Sequence, residues 1–377
     1  MNRAVEILRE LVGIPSVSSI SNLPVIEAAT WILEASGWTM RRFSYRDANG
    51  VEKVNVIARP SQQSASMHVD LAFVCHTDTV PFVPEAWPNA THLEERNGFL
   101  HGCGACDVKG SIAGILAAIS RLKSEEIDRS VALVLTADEE IGCVGATHLL
   151  SAPLLRAKSV IVCEPTSLRP AIAGKGYGLA EVVVSGKEAH SAFPRQGSSA
   201  IYTAAQMMLG IEHNERAAAT RATATDDLFD PPGTTFNVGV VHGGTAKNII
   251  PGDCRFLVEW RPIPDEDPVT ALEWLKTLAE RTEREHPGCT VHVKGRRTEP
   301  GFAYSPDSPF VRALSEGLGR QPTGISFGSE ATRFARIAEE VVVLGPGDMH
   351  TAHSDRECIA IAELETWAKC VRELLTR

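Results

Sequence analysis

Residues 69–80 read VDLAFVCHTDTV. The first seven form a short segment of strand length, apolar apart from Asp70, and an imidazole and a carboxylate, His76 and Asp78, follow it at once. The same pattern recurs along the chain. VALVLT (131–136) runs into Asp138-Glu139-Glu140, SVIVC (159–163) into Glu164, and VVVLG (341–345) into a Gly/Pro loop holding His350 and His353. Helical segments lie between, over Gly110–Leu122 and near Gly145. Continuous apolar strands separated by helices predict an α/β fold, a mainly parallel sheet with helices on both faces. In such open sheets ligands bind beyond the carboxyl ends of the strands, where these charged residues fall. A fifth element, GCGACDVKG (102–110), is a glycine-rich loop that sets Asp107 at the entrance of a helix.

From Gly178 to Arg297 the order changes to strand LAEVVVSG (179–186), helix Ser198–Gly210, strands FNVGVVH (236–242) and CRFLVEW (254–260), helix Val269–Arg284 and strand TVHVKG (290–295). A turn near Pro251 and Gly252 separates the two central strands. This β-α-β-β-α-β order predicts an inserted ferredoxin-like domain. A helix over Pro309–Gly317, the VVVLG strand and a closing helix over Ala362–Leu375 then return to the first pattern. The expected division is a catalytic domain in two parts, 1–177 and 298–377, interrupted by 178–297. Asn214–Thr235 reads as a surface connection.

The chain has 377 residues, 44% of them hydrophobic, enough for a sizeable core and about two domains. Thirty-seven Lys plus Arg against 47 Asp plus Glu leave a net charge of -10, which disfavours nucleic acid and anionic membrane as partners. No apolar run approaches the ~18 residues of a membrane span. The opening MNRAVEILRELVGIP mixes charges into a helical period, so a cytoplasmic location is expected. Nine cysteines, Cys75 and Cys163 among them inside apolar runs, read as reduced core thiols. Cys103 and Cys106 could be a redox pair or half a zinc ribbon; no second CxxC exists, and two packed thiols is the reading kept. The glycines at 102 and 104, and at 174, 176 and 178, lack the full G-x-G-x-x-G of a nucleotide loop and read as turns.

Imidazoles and carboxylates converging on one sheet edge suit zinc, cobalt or manganese. His76 and Asp78 lie two apart in an extended segment, so Asp78 is expected to accept the proton on the far nitrogen of His76. Adjacent Glu139 and Glu140 cannot face one way, so one ligates while the other serves as general base. Asp107, the central carboxylate, is placed to bridge two divalent ions, with His76 and Glu164 on one and Glu140 and His353 on the other. Five ligands exceed what one tetrahedral ion accepts.

The segments HTDTV, GCGACDVKG, DEE, EPT, AHSAFP, NIIPGD, GSEA and HTAHSDRE together resemble the dinuclear zinc amidohydrolases, a family that includes acetylornithine deacetylase, succinyl-diaminopimelate desuccinylase, aminoacylase and glutamate carboxypeptidase. The resemblance covers nearly the whole chain. It implies two zinc ions, or cobalt, at His76, Asp107, Glu140, Glu164 and His353, with Glu139 as the base and His353 preferred to His350. It further implies that the insert is a dimerisation lid whose His190 reaches the partner's site to stabilise the oxyanion, and that Asn248 and Arg261 hold a substrate carboxylate. Cysteines at 103 and 106 depart from the commoner loop. The segment around Glu330, SFGSEA, resembles the deacetylase loop C-T-E-A, which points to an N-acetyl amino acid such as N-acetylornithine, in arginine biosynthesis, with Glu330 facing a side-chain ammonium. A desuccinylase, a metallo-dipeptidase or carboxypeptidase, and a non-catalytic metal-binding regulator on the same fold are the alternatives.

Overall fold

A computed structural model describes residues 2–63, 67–218 and 228–376. The chain divides into two compact units, one of Met1–Ile172, Tyr304–Thr323 and Ser329–Arg377, the other of Ala173–Ala303 and Gly324–Gly328. The three-part reading set its boundaries at 177 and 297 and left Gly324–Gly328 outside the insert. The strand Ala171–Gly174 carries the chain from the first unit into the second, so no turn or linker marks the passage in the sequence.

In the first unit six strands lie side by side in the order Trp38–Arg46, Glu52–Pro60, Val131–Thr136, His68–His76, Arg156–Val162 and Ala338–Val343. The last four are parallel. Every residue of Val131–Thr136 is buried, which is what a strand covered on both faces requires. Leu71, Phe73, Cys75, Leu133 and Leu135 share one core with helices Arg3–Val12, Leu23–Ala35, Lys109–Ile119 and Ile361–Leu375. The alternate residues Ala72, Val74, Ala132 and Val134 are equally buried on the opposite face. Removing each larger aliphatic side chain from water is worth roughly 1.5–3 kcal/mol.

Trp38–Arg46 and Glu52–Pro60 form an antiparallel hairpin that joins Val131–Thr136 antiparallel. The parallel reading did not include it; the outer strand buries only Trp38 and leaves its other residues half-buried or exposed, the mark of a sheet edge. Helix starts follow the local chemistry. Asn2 accepts from Ala4 N, and Ser308 caps Pro309–Leu318 with proline in its first turn.

In the second unit four antiparallel strands lie in the order Thr235–Gly243, Asp253–Arg261, Tyr177–Ser185 and Thr290–Glu299, the ferredoxin-like arrangement. Helices Ala200–Ala218 and Pro268–Glu285 cover one face, with Val182, Val184, Phe256, Val258, Trp260, Met207 and Leu275 in the core between. The first of these helices runs eight residues beyond the expected Gly210. The rest of the surface connection over Asn214–Thr235 lies in part outside the described residues, at 219–227. Among the described residues no helix is long and apolar enough to cross a membrane.

Candidate metal centre

Four parallel strands of the first unit deliver the polar residues. His76 ends its strand, Glu139 and Glu140 follow Val131–Thr136, Glu164 follows Arg156–Val162, and His353 lies in the loop after Ala338–Val343. Asp107 precedes the buried helix Lys109–Ile119. Its loop bends through Gly104, at φ +76°, where a side chain would be strained. Glu357 pins the loop by accepting from Cys106 N at 3.0 Å and Asp107 N at 3.1 Å.

Asp107 stands between the two imidazoles and gives one oxygen to each. Oδ1 is 2.9 Å from His76 Nε2, and Oδ2 is 3.0 Å from His353 Nε2. His353 Nε2 also lies 3.2 Å from Glu140, and His76 Nε2 lies 4.0 Å from Glu164 Oε2. Ligand atoms of His76, Asp107 and Glu140 all fall within 4.8 Å of one another. His350, by contrast, turns outward and engages Asp348 at 2.7 Å.

The two imidazoles hold Asp107 below the usual carboxylate range even though burial alone would raise it. The remaining carboxyls show the opposite strain. Burial, with Asp107 and Glu139 adding to it, lifts Glu164 well above its ordinary value, and burial with Glu140 close by pushes Glu139 up to about 8. His76 is raised because Asp107 and Glu164 override its desolvation, and His353 reaches about 10 through Asp107 and Glu140. The cluster thus concentrates more carboxylate than its imidazoles neutralise. That excess and the hard N/O donor set fit divalent cations such as zinc.

Asp78 acts differently from expectation. The group facing His76 Nδ1 is its backbone carbonyl, at 3.0 Å, while its carboxylate stands 3.7 Å away. Thr77 N donates to Thr136 O and Thr79 N to Ser16 O, which fixes the extended backbone and turns the carboxylate toward the neighbouring loop. There Oδ1 accepts from Glu139 N at 3.0 Å, and Oδ2 accepts from Glu140 N at 3.3 Å and from Ser18 Oγ at 2.7 Å. The carbonyl still orients His76, leaving Nε2 as the nitrogen that faces the carboxylates.

Glu330 is buried beside the end of a parallel strand. Thr136 Oγ1 donates to its Oε2 at 2.8 Å, Oε1 has no hydrogen-bond partner among the described residues, and burial pushes the carboxyl up to about 7. Cys103 and Cys106 are buried free thiols, both raised by burial, Cys103 to about 12.

His190, Asn248 and Arg261 belong to the second unit. His190 is exposed on a two-residue strand paired with Ile249–Ile250, and Asn248 O accepts from Ser191 N at 2.9 Å. Arg261 Nε donates to Glu259 at 2.9 Å, and its guanidinium lies 4.7 Å from the centre of the Tyr177 ring. Sequence reasoning did not pick out Lys53 or Glu357 as part of the frame around this centre. A lysine immediately before the mostly apolar stretch VNVIA (54–58), and a glutamate four residues after His353, were the signals available.

Comparison with known proteins agrees with this geometry. Residues 72–377 match peptidase family M20/M25/M40. An acetylornithine deacetylase from Myxococcus xanthus is 43% identical over 357 residues, covering 95% of this chain and 92% of that protein. Among solved structures, a tripeptidase from Staphylococcus aureus superposes with a TM-score of 0.81 at 23% identity, over 99% of this chain and 97% of the other. A dinuclear metal-binding M20 peptidase from Bacillus subtilis gives 0.68 at 17% identity, over 99% and 98%. With the family matched over residues 72–377 and a relative 43% identical over 95% of its length, the chain belongs to peptidase family M20/M25/M40.

Proposed function

We propose that the protein hydrolyses the amide of N-acetylornithine to acetate and ornithine, a step of arginine biosynthesis, using two divalent ions, zinc or cobalt. The observation that carries this reading is the 43% identity to an acetylornithine deacetylase across nearly the full chain, together with a cluster built around Asp107. His76, Asp107 and Glu164 would hold one ion and Asp107, Glu140 and His353 the other. Bound there, the ions supply positive charge that polarises the scissile carbonyl.

The chain's own groups account for the proton movements. Glu139 engages a weak thiol donor, Cys143 Sγ at 3.4 Å, in place of an imidazole, so its carboxylate can take a proton from the attacking water and return it to the leaving amine. Asp78 holds the Glu139 and Glu140 amides and keeps the two carboxylates in separate directions. His190 would stabilise the oxyanion, Asn248 and Arg261 would bind the α-carboxylate, and Glu330 would bias the pocket toward a cationic side chain.

A homodimer through the second unit is part of the proposal. Its edge strand Thr235–Gly243 exposes Val240 and Val241, and helix Ala200–Ala218 exposes Ile201 and Tyr202, apolar surface that a second copy would cover. A solution mass equal to one chain would remove this part. A cytoplasmic setting fits buried thiols such as Cys75, Cys103, Cys106 and Cys163.

The test is a hydrolysis panel with zinc and with cobalt. kcat/KM for N-acetylornithine should exceed that for N-succinyl-diaminopimelate and for dipeptides by at least ~10-fold, about 1.4 kcal/mol of discrimination. Equal rates, or a preference for the succinyl compound or a dipeptide, would overturn the substrate.

A further inference from the structure

Directly behind Glu139 and Glu140 lies a buried ion pair that the reaction does not itself use. Lys53, in the strand Glu52–Pro60, and Asp138, the residue before Glu139, have side chains only 1% exposed, and Lys53 Nζ stands 2.7 Å from Asp138 Oδ1. The other two ammonium protons go to the carbonyls of Ser18, at 2.6 Å, and Ile20, at 2.8 Å. All three donors are therefore used. Tyr45 OH donates to the second carboxylate oxygen of Asp138 at 2.7 Å, and the Tyr45 ring stacks on His148 at 4.2 Å. Asp138 itself sits at φ +56°, in the left-handed region that aspartate adopts more readily than most residues, and this turns the chain sharply at the residue before Glu139.

These bonds close a circuit. Ser18, whose carbonyl receives Lys53, donates its hydroxyl to Asp78, and Asp78 accepts the amides of Glu139 and Glu140, the residues that follow Asp138. Behind the turn, helix Val144–Leu149 approaches so closely that a Cβ on Gly145 would meet the Ala137 carbonyl at 2.2 Å. A buried ion pair is a poor source of stability, since desolvation offsets most of its attraction. What it supplies is direction.

We propose that Lys53 and Asp138 are positioning residues, a buried ion pair that locks the turn carrying Glu139 and Glu140 and so sets the separate directions of base and ligand. The inference rests on the dinuclear hydrolase reading for the roles of those two glutamates. It predicts that loosening the turn degrades the chemical step and the second metal site while leaving substrate binding nearly intact, because Lys53 and Asp138 touch neither substrate nor ion.

The test uses the full chain. Lys53→Met combined with Asp138→Asn removes both charges at nearly constant volume, and Asp138→Asn alone keeps an oxygen acceptor for Lys53. Folding is checked by circular dichroism and melting, kcat and KM are measured on N-acetylornithine with saturating zinc, and cobalt(II) binding is followed by its visible absorption. The double variant should lower kcat ~10–100-fold with KM within ~3-fold, and weaken the second cobalt equivalent ~10-fold. Asp138→Asn alone, which leaves the buried Lys53 ammonium without its counter-charge, should lower kcat at least ~10-fold and weaken the second cobalt equivalent in the same direction. Tyr45→Phe, which removes one hydrogen bond and keeps the ring stack, should lower kcat ~3–10-fold and serves if the double variant does not fold. A folded double variant, or Tyr45→Phe in its stead, with unchanged kcat and unchanged second-cobalt affinity overturns the proposal, as does a folded Asp138→Asn variant with wild-type kcat and second-cobalt affinity. Should wild type not hydrolyse N-acetylornithine, the substrate reading fails and the cobalt arm still decides the role of the pair.

Discussion

The two units solve opposite packing problems. In the first, the parallel strands are apolar on both faces, yet their carboxyl ends gather His76, Asp107, Glu164 and Glu330, all buried, at a cost in desolvation that shows in the raised carboxyls of Glu164 and Glu330. In the second, alternate residues of Tyr177–Ser185 and Asp253–Arg261 point into an apolar core under two helices, and the charged groups of these two strands stay toward solvent. Buried charge concentrated in one unit marks where chemistry is done, and a conventional apolar core marks a unit whose work lies on its surface.

The contrast can be broken by experiment. The largest effect is expected from Asp107→Ala, which removes the carboxylate shared by both imidazoles: activity should fall by more than ~10⁴-fold, with metal content well below two equivalents by elemental analysis. An Asp107→Ala enzyme that keeps two ions would show that the bridge is misassigned.

Glu139→Gln should keep both ions and KM while kcat drops ~10²–10⁴-fold, and Glu140→Ala should lose metal instead. Steady-state kinetics beside metal analysis would expose the reverse pattern, which would exchange the two roles.

In the second unit, Trp260→Ala should act on stability alone. The side chain is fully buried among Val182, Val258 and Leu275, so its loss should cost about 3–5 kcal/mol in urea unfolding while metal content stays unchanged. Loss of metal in the folded variant would contradict the separation of roles.

The smallest effect concerns Glu330. Burial lifts its carboxyl from 4.5 to about 7, so between these values the folded chain holds a proton that the unfolded chain has released. Stability from this group is complete below about 4.5 and is lost as pH rises through about 7. Metal-free Glu330→Gln should therefore match wild type near the lower limit and gain on the order of 3 kcal/mol at pH 8. A gain equal at both pH values would assign it to packing.

Most of the first unit was legible because its signals are local. Runs at 69–75, 131–136 and 341–345 each lead within a few residues into acidic or histidine side chains, and the sheet's topology brings those ends together without further information. The β-α-β-β-α-β order was legible for the same reason. What escaped depends on contacts that periodicity does not encode. Lys53 reads as an exposed residue of a strand until its partner, 85 positions along, is known. Two-residue spacing brought Asp78 close to His76, but whether carbonyl or carboxylate faces the ring depends on the bonds of Thr77 and Thr79 to neighbouring segments. The hairpin from Trp38 to Pro60 was missed because charges at Arg41, Arg42 and Arg46 obscure the alternation of an edge strand.

In the proposed centre Asp107 joins two metal positions at the carboxyl edge of the parallel sheet. Crystals of zinc-loaded protein, measured on both sides of the zinc absorption edge, would locate those ions. Two anomalous peaks are expected per chain, one beside His76 and Glu164 and one beside Glu140 and His353, with Asp107 between them. A single peak under saturating zinc, or two peaks of which neither touches Asp107, would contradict it.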